Sequence, residues 1–149
     1  MDEGLLETFA YEKRYWYPHM KPKDVTIWER FIEKEPNAFL SVQYDVPVGT
    51  VADFVKEGNP KPGAGEELLY KRKIDVVGFN AGAIFIIELK PSAGSSAVGQ
   101  IKLYDRLYKR DYSPPISTIK MIITDKMDDD VQAFAHAEGV RVIIVPEEI

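Results

Sequence analysis

Between Asp24 and Pro36 the apolar residues Val25, Trp28, Phe31 and Ile32 recur every three to four positions, the spacing that puts them on one face of a helix. Asp24 is placed to cap that helix and Pro36 to stop it, which predicts a helix over Val25 to Glu35. Phe39 to Val48 switches to the two-residue alternation of a strand, with Pro47 near its end. Tyr70 to Phe79 and Ala83 to Lys90 read as two more strands around Asn80-Ala81-Gly82, where Asn and Gly tolerate the positive φ of a hairpin turn. Pro91 ends the hairpin, and Gly94-Ser95-Ser96 opens a helix to Arg110 with serine available as its cap. A strand at Thr118 to Thr124, a helix near Asp128 to Ala137 stopped by Gly139, and an apolar strand at Val140 to Val145 follow. The order α-β-β-β-α-β-α-β predicts an α/β fold, a central mixed β-sheet flanked by helices.

Two stretches fall outside this pattern. Met1 to Lys23 carries Phe9, Tyr11, Tyr15, Trp16 and Tyr17 with Pro18 and Pro22, and reads as a short helix or extended arm packed on the domain. Nothing spaces these aromatics as a base-stacking platform, so they are assigned to core filling, and the solitary His19 to a structural role. Gly49 to Glu67 includes Gly58-Asn59-Pro60-Lys61-Pro62-Gly63-Ala64-Gly65. This irregular insertion lacks the Gly-Lys-Ser/Thr ending of a phosphate loop, and Lys56 and Lys61 read as solvated lysines.

Composition narrows the class. The 149 residues, 45% hydrophobic, suffice for one core and predict a single domain over residues 1–149. With no cysteine, disulfides, thiolate metal sites and cysteine nucleophiles are excluded. A net charge of −5 argues against gripping nucleic acid by overall electrostatics, though not against an acidic pocket that reaches a phosphate through a metal. The start Met1-Asp2-Glu3-Gly4 lacks a signal-peptide pattern, and no apolar run spans a bilayer. The expectation is a soluble, cytoplasmic protein with no membrane partner.

The hairpin carries the chemistry. Period two puts Lys73, Asp75, Val77 and Phe79 on one face of its first strand, and Ile84, Ile86, Glu88 and Lys90 on one face of its second. A turn centred on Ala81-Gly82 sets Asp75 opposite Glu88, and two carboxylates so opposed destabilise a sheet. A cation between them removes the conflict, and oxygen ligands select magnesium, or manganese in its place. Lys90 beside the pair is placed to orient or deprotonate an attacking water, or to stabilise charge developing at phosphorus. A surface Glu–Lys pair is the bland alternative, which Ile86 and Ile87 just before it disfavour. Gln100 falls within the helical arc of Ile101, Leu103, Tyr104, Leu107 and Tyr108, where an amide wants specific partners. Lys102, Arg106 and Lys109 on the opposite side point away from the site and read as a solvated face, or at best an outer DNA contact. Asp128 to Asp130 are explained by the dipole of a helix N-terminus, and His136 stands alone.

Asp75, Glu88-Leu89-Lys90 and Gln100-Ile101-Lys102-Leu103-Tyr104 together resemble the PD-(D/E)XK nuclease superfamily, the last stretch resembling the Gln-x-x-x-Tyr element of its RecB-like branch. Tyr44-Asp45-Val46-Pro47-Val48-Gly49 and Glu88-Leu89-Lys90-Pro91 with Gly99-Gln100 are similar to small phage-associated nucleases. The resemblance spans Asp24 to Tyr108 and implies a restriction-endonuclease-like core. It implies that Asp75, Glu88 and the Leu89 carbonyl bind the metal, that Lys90 is the catalytic lysine, and that Gln100 and Tyr104 organise the site or touch DNA. Relatives also place a glutamate of the first helix near the metal; Glu29, on the flank of the apolar stripe, is the residue chosen. Lys73-Ile74-Asp75 stands where the superfamily's name has Pro-Asp, and no iron–sulfur cysteines are present.

The implied activity is a magnesium-dependent deoxyribonuclease in phage or mobile-element DNA processing, repair or recombination, located in the host cytoplasm if phage-encoded. DNA is the implied partner, with a homodimer or a larger DNA-processing complex as the assembly. The alternative is a non-catalytic nuclease-fold module that binds DNA or a protein in such a complex. A nucleotide-binding α/β protein is remote, because no glycine fingerprint follows a strand.

Overall fold

The computed structural model describes residues 6–50, 58 and 72–147; Lys56, Lys61 and the strand start at Tyr70 lie outside them. The chain forms β1 (Thr8–Ala10), α1 (Pro22–Lys34), β2 (Ser41–Val48), β3 (Arg72–Phe79), β4 (Ile84–Leu89), α2 (Ser95–Tyr112), β5 (Thr118–Thr124), α3 (Asp129–Ala137) and β6 (Val140–Ile144). One six-stranded sheet runs β1-β2-β3-β4-β5-β6 in order. The first four strands pair antiparallel, and β4-β5 and β5-β6 are parallel, as strand–helix–strand crossovers require. The expected α-β-β-β-α-β-α-β order is present, in a mixed sheet with helices on both faces consistent with a restriction-endonuclease-like core. Ahead of it stands β1, so the N-terminal stretch is an extended arm rather than a helix.

Each face of the sheet has its own core. Trp28, Phe31 and Ile32 of α1 pack with Val42, Tyr44, Val76, Phe85, Ile87, Leu89 and Ile123. Val98, Ile101, Tyr104 and Tyr108 of α2 pack on the other face with Ile74, Val77, Ile84, Ile86 and Ile122. The alternation switches sides once: Val42 and Tyr44 belong to the α1 side, Val46 and Val48 to the α2 side. Asp45, between them, has φ 54°, a left-handed residue that interrupts the two-residue period. On β3, Val76 and Ile74 pair with Tyr44 and Val46 and switch in the same way. Asp75 therefore lies where the sheet changes faces.

Several local expectations are corrected. Helix α1 begins at Pro22, whose fixed φ and missing N–H suit a first turn, so Asp24 is a first-turn residue and Lys21 the N-cap. Helix α2 extends to Tyr112, and its N-cap is Gly94 with no side-chain cap bond; neither serine serves. Leu103 is exposed, turned out of the buried stripe that Ile101, Tyr104, Asp105 and Tyr108 make at i, i+3, i+4 and i+7. The hairpin turn closes through a side chain, Asn80 Oδ1 accepting from the N–H of Gly82 at 3.0 Å and Ala83 at 2.9 Å. Neither Asn80 nor Gly82 adopts a positive φ. Of the arm's aromatics, Phe9, Tyr11 and Tyr17 pack on Tyr44, Trp28 and Phe39, whereas Tyr15 and Trp16 are exposed.

Gly78 on β3 allows the aromatic cluster to close on the sheet. A Cβ there would stand 2.8 Å from ring atoms of Phe39, and that ring is held between Tyr11 and Phe85, each at a centroid distance of 5.2 Å. Gly78→Ala is expected to cost about 1–3 kcal/mol by overpacking, read as a lowered Tm, and the loss should shrink in a Phe39→Leu background. Unchanged stability of Gly78→Ala would contradict the packing described.

Candidate functional site

In the β3-β4 register Phe79 pairs with Ile84, Val77 with Ile86 and Val76 with Ile87; one further step sets Asp75 opposite Glu88. On β4 the alternation is unbroken and turns Glu88 to the α2 side with Ile86, and the Asp75 side chain, at the break on β3, meets it in a hydrogen bond between the two acids. Glu88 is buried, with 7% of its surface exposed. Asp75 Oδ2 accepts the Leu89 N–H at 2.9 Å, which draws the two strands together at this level. Burial raises both carboxyl pKa values well above the ordinary carboxylate range, and for Glu88 the charge of Asp75 raises it further. Two acids in this position resist ionising together.

Lys90 follows the last residue of β4 and is exposed, at the mouth of the pair rather than buried among strand residues. Its charge favours ionisation of Glu88 and of Asp24. The chain around it is pinned from β5: Lys90 N donates to Ile123 O at 3.1 Å, Ser92 N to Asp125 Oδ1 at 2.7 Å, and Ala93 N to Thr124 Oγ1 at 3.1 Å. Ser92, with φ 46°, makes the sharp exit. Thr124 and Asp125 thus position the lysine segment, a role that their sequence context does not reveal. Asp128 caps α3 by accepting from Val131 N at 2.9 Å, as the acidic run predicts.

From α2, Gln100 Nε2 donates to Tyr104 Oη at 2.8 Å. Tyr104 is buried, and its pKa is raised first by burial and then by the charges of Glu88 and Asp75, so the phenol stands close to both acids. Gln100 itself is exposed, at the edge of the helical arc rather than inside it, because the first turn of α2 opens to solvent there. Lys102 pairs with Glu138, and Lys109 with Asp105 at 3.0 Å, in keeping with a surface role for that face.

The α1 carboxylate felt by the pair is Asp24, whose charge raises both Asp75 and Glu88. Glu29 is not brought to them. It accepts from Tyr17 Oη at 2.8 Å, more than a turn further along the helix, and the early start of α1 at Pro22 is what leaves Asp24 at the site end. Asp45 is the other addition: its charge acts on Asp75, and its Oδ2 lies 3.8 Å from His19 Nε2. His19 also has a left-handed φ of 52°. Asp and His are among the residues that enter the left-handed region most readily, and here the two meet beside Asp75.

An all-oxygen donor set of two adjacent carboxyl groups, whose ionisation burial opposes, fits a hard divalent cation that would stabilise the ionised form. Among the described residues no three or more His, Asp or Glu side chains converge as a complete cage. Magnesium characteristically takes one or two carboxylates and fills its remaining positions with water and phosphate.

No protein-family model matches the chain, and no curated protein does. Among solved structures, a repair endonuclease from Pyrococcus abyssi is similar at 18% identity and TM-score 0.49 over 91% of this chain and 50% of its own. EndoMS in a double-stranded DNA complex is similar at 16% identity and TM-score 0.46 over 92% of this chain and 51% of its own. Apo EndoMS is similar at 22% identity and TM-score 0.41 over 48% of this chain and 34% of its own. The chain thus spans about half or less of the length of these proteins, and the functional reading rests on its own side chains.

Proposed function

We propose that the chain is a magnesium- or manganese-dependent deoxyribonuclease whose site is Asp75, Glu88, Leu89 and Lys90, with Asp24 as the carboxylate of α1. The observation that carries this reading is the facing pair Asp75 and Glu88, desolvated and mutually repelling, with an ammonium at its mouth. A cation bound there supplies a polarised phosphoryl oxygen and a water of lowered pKa. The residues do the rest. Asp75 and Glu88 hold the cation, and the Leu89 N–H fixes the Asp75 carboxylate. Lys90, tethered through its backbone to β5, orients the attacking water or offsets charge at phosphorus. The Gln100–Tyr104 bond supports the RecB-like reading and presents a phenol and an amide to the substrate strand. The setting proposed is phage or mobile-element DNA processing, repair or recombination.

The non-catalytic module remains the second reading, favoured because Asp24, though its charge is felt by the pair, does not converge with it into a three-ligand metal cage among the described residues. Cleavage separates the two. With magnesium and single-stranded, duplex, flapped and four-way DNA, wild type should cut at least one substrate and chelator should abolish cutting. Glu88→Gln should reduce activity below detection and Lys90→Ala by about 10²–10³-fold, with Tm preserved or raised. No cleavage by wild type, or cleavage unaffected by both substitutions, contradicts the proposal.

Stability carries an independent signature. Raised folded-state pKa values mean that the native chain binds more protons than the unfolded chain, so this contribution is complete below the ordinary carboxyl values of 3.8 and 4.5. It is lost as pH rises through the raised folded values. Without metal, Tm should fall from about pH 5 to about pH 8 more steeply than in Glu88→Gln. Magnesium at the upper end should recover wild type alone. Parallel pH curves for the two proteins, or equal recovery, would contradict it.

A further inference from the structure

The arm after β1 and the start of α1 carry a basic run in a chain whose net charge is −5. Lys13 to Lys23 holds Lys13, Arg14, Lys21 and Lys23 and no acidic residue, with Tyr15, Trp16, Tyr17 and His19 interleaved. Lys13 is taken up by Glu33. Arg14, Lys21 and Lys23 form no salt bridge among the described residues, and Tyr15 and Trp16 project into solvent, Trp16 with 66% of its surface exposed. Large aromatic residues left outside a core mark a contact surface.

These residues line a cleft of about 700 Å³, a size suited to a small planar group with its attached sugar. Its lining includes Tyr15, Trp16, Arg14, His19, Met20, and Glu29 from α1. Arg14 lies over the Phe9 ring at 4.4 Å, and its Nε is buried without a hydrogen-bond partner. A buried donor left unpaired calls for an explanation. Glu29 brings an acceptor carboxylate, anchored by Tyr17. Aromatic faces with a donor and an acceptor at the rim are what a nucleobase requires, its π-face for stacking and its edge for hydrogen bonds. The cleft adjoins the acids as well: His19, on its wall, reaches Asp45 at 3.8 Å, and the charge of Asp45 acts on Asp75.

We propose that this cleft binds an unpaired nucleobase of the strand presented to the Asp75–Glu88 site, stacked on Trp16 and Tyr15. The substrate class is accordingly DNA with a single-stranded or flapped segment. A base inside a duplex is already stacked on both sides and cannot enter without unpairing. The inference rests on the nuclease reading for the identity of the strand, but its test does not need cleavage.

The two tryptophans provide the probe, because Trp16 is exposed while Trp28 is fully buried and hydrogen-bonded to Tyr44 at 3.0 Å. With the full chain in chelator, a short single-stranded oligonucleotide should quench Trp16 emission saturably, and a blunt duplex of equal length should not. By anisotropy of the labelled single strand, Trp16→Ala and Tyr15→Ala should each bind about tenfold more weakly, with unchanged Tm as expected for exposed positions. Absence of quenching, or wild-type affinity in both variants, overturns the proposal and leaves a protein partner as the occupant of the cleft. Quenching without magnesium-dependent cleavage retains the base site and rejects the nuclease; cleavage of single-stranded or flapped DNA without quenching does the reverse.

Discussion

The structure depends on the unfavourable meeting of Asp75 and Glu88 across the β3-β4 hairpin. Burying one carboxylate costs several kcal/mol unless it is paired or neutralised, and here two acids are buried together: the charge of one opposes ionisation of the other, and a hydrogen bond between the side chains favours a proton on Glu88. Nothing in the fold requires the arrangement: valine or isoleucine at either position would continue the apolar surfaces on both sides. The surrounding chain nevertheless goes to some length to hold it, with the Leu89 N–H on Asp75, the left-handed Asp45 across from it, and Thr124 and Asp125 clamping the turn beyond Lys90. Strain and desolvation concentrated in one place, on otherwise regular strands, are the physical ground on which the proposed function rests.

The two cores explain why that site is rigid. β4 is buried along its whole length, between α1 on one face and α2 on the other, so Glu88 has a fixed backbone and little room to turn away. Tyr104 approaches from α2 and Asp24 from the first turn of α1, which makes the site the common edge of three independently packed elements. The face switch at Asp45 is part of the same design. It lets β2 serve the α1 core with Val42 and Tyr44 and the α2 core with Val46 and Val48, while leaving the break itself beside the acids.

Much of this was legible in the sequence. Periodicity located both principal helices and the strands of the sheet, and the Asn80-Ala81-Gly82 turn fixed the register that opposes Asp75 to Glu88. What periodicity cannot show is where a helix begins when proline supplies its first turn. It is Asp24, in that first turn, whose charge is felt by the pair, whereas Glu29, chosen for its place on the flank of the apolar stripe, is bonded to Tyr17. Nor does a strand pattern announce a left-handed residue: Asp45 reads as one more polar position between Tyr44 and Val46. The arm was harder still. Phe9, Tyr11, Tyr15, Trp16 and Tyr17 are alike in composition, and only the paths of β1 and the turn after it separate the three that fill the core from the two that face outward.

Proton release on binding magnesium tests the central claim most directly. Calorimetric titrations near neutral pH in buffers of different ionisation enthalpy count the protons displaced as the cation enters. If the buried pair holds protons until a cation replaces them, wild type should release a measurable fraction of a proton or more per magnesium bound, and Glu88→Gln substantially less. Absence of magnesium binding, or binding with no proton released, would contradict the account.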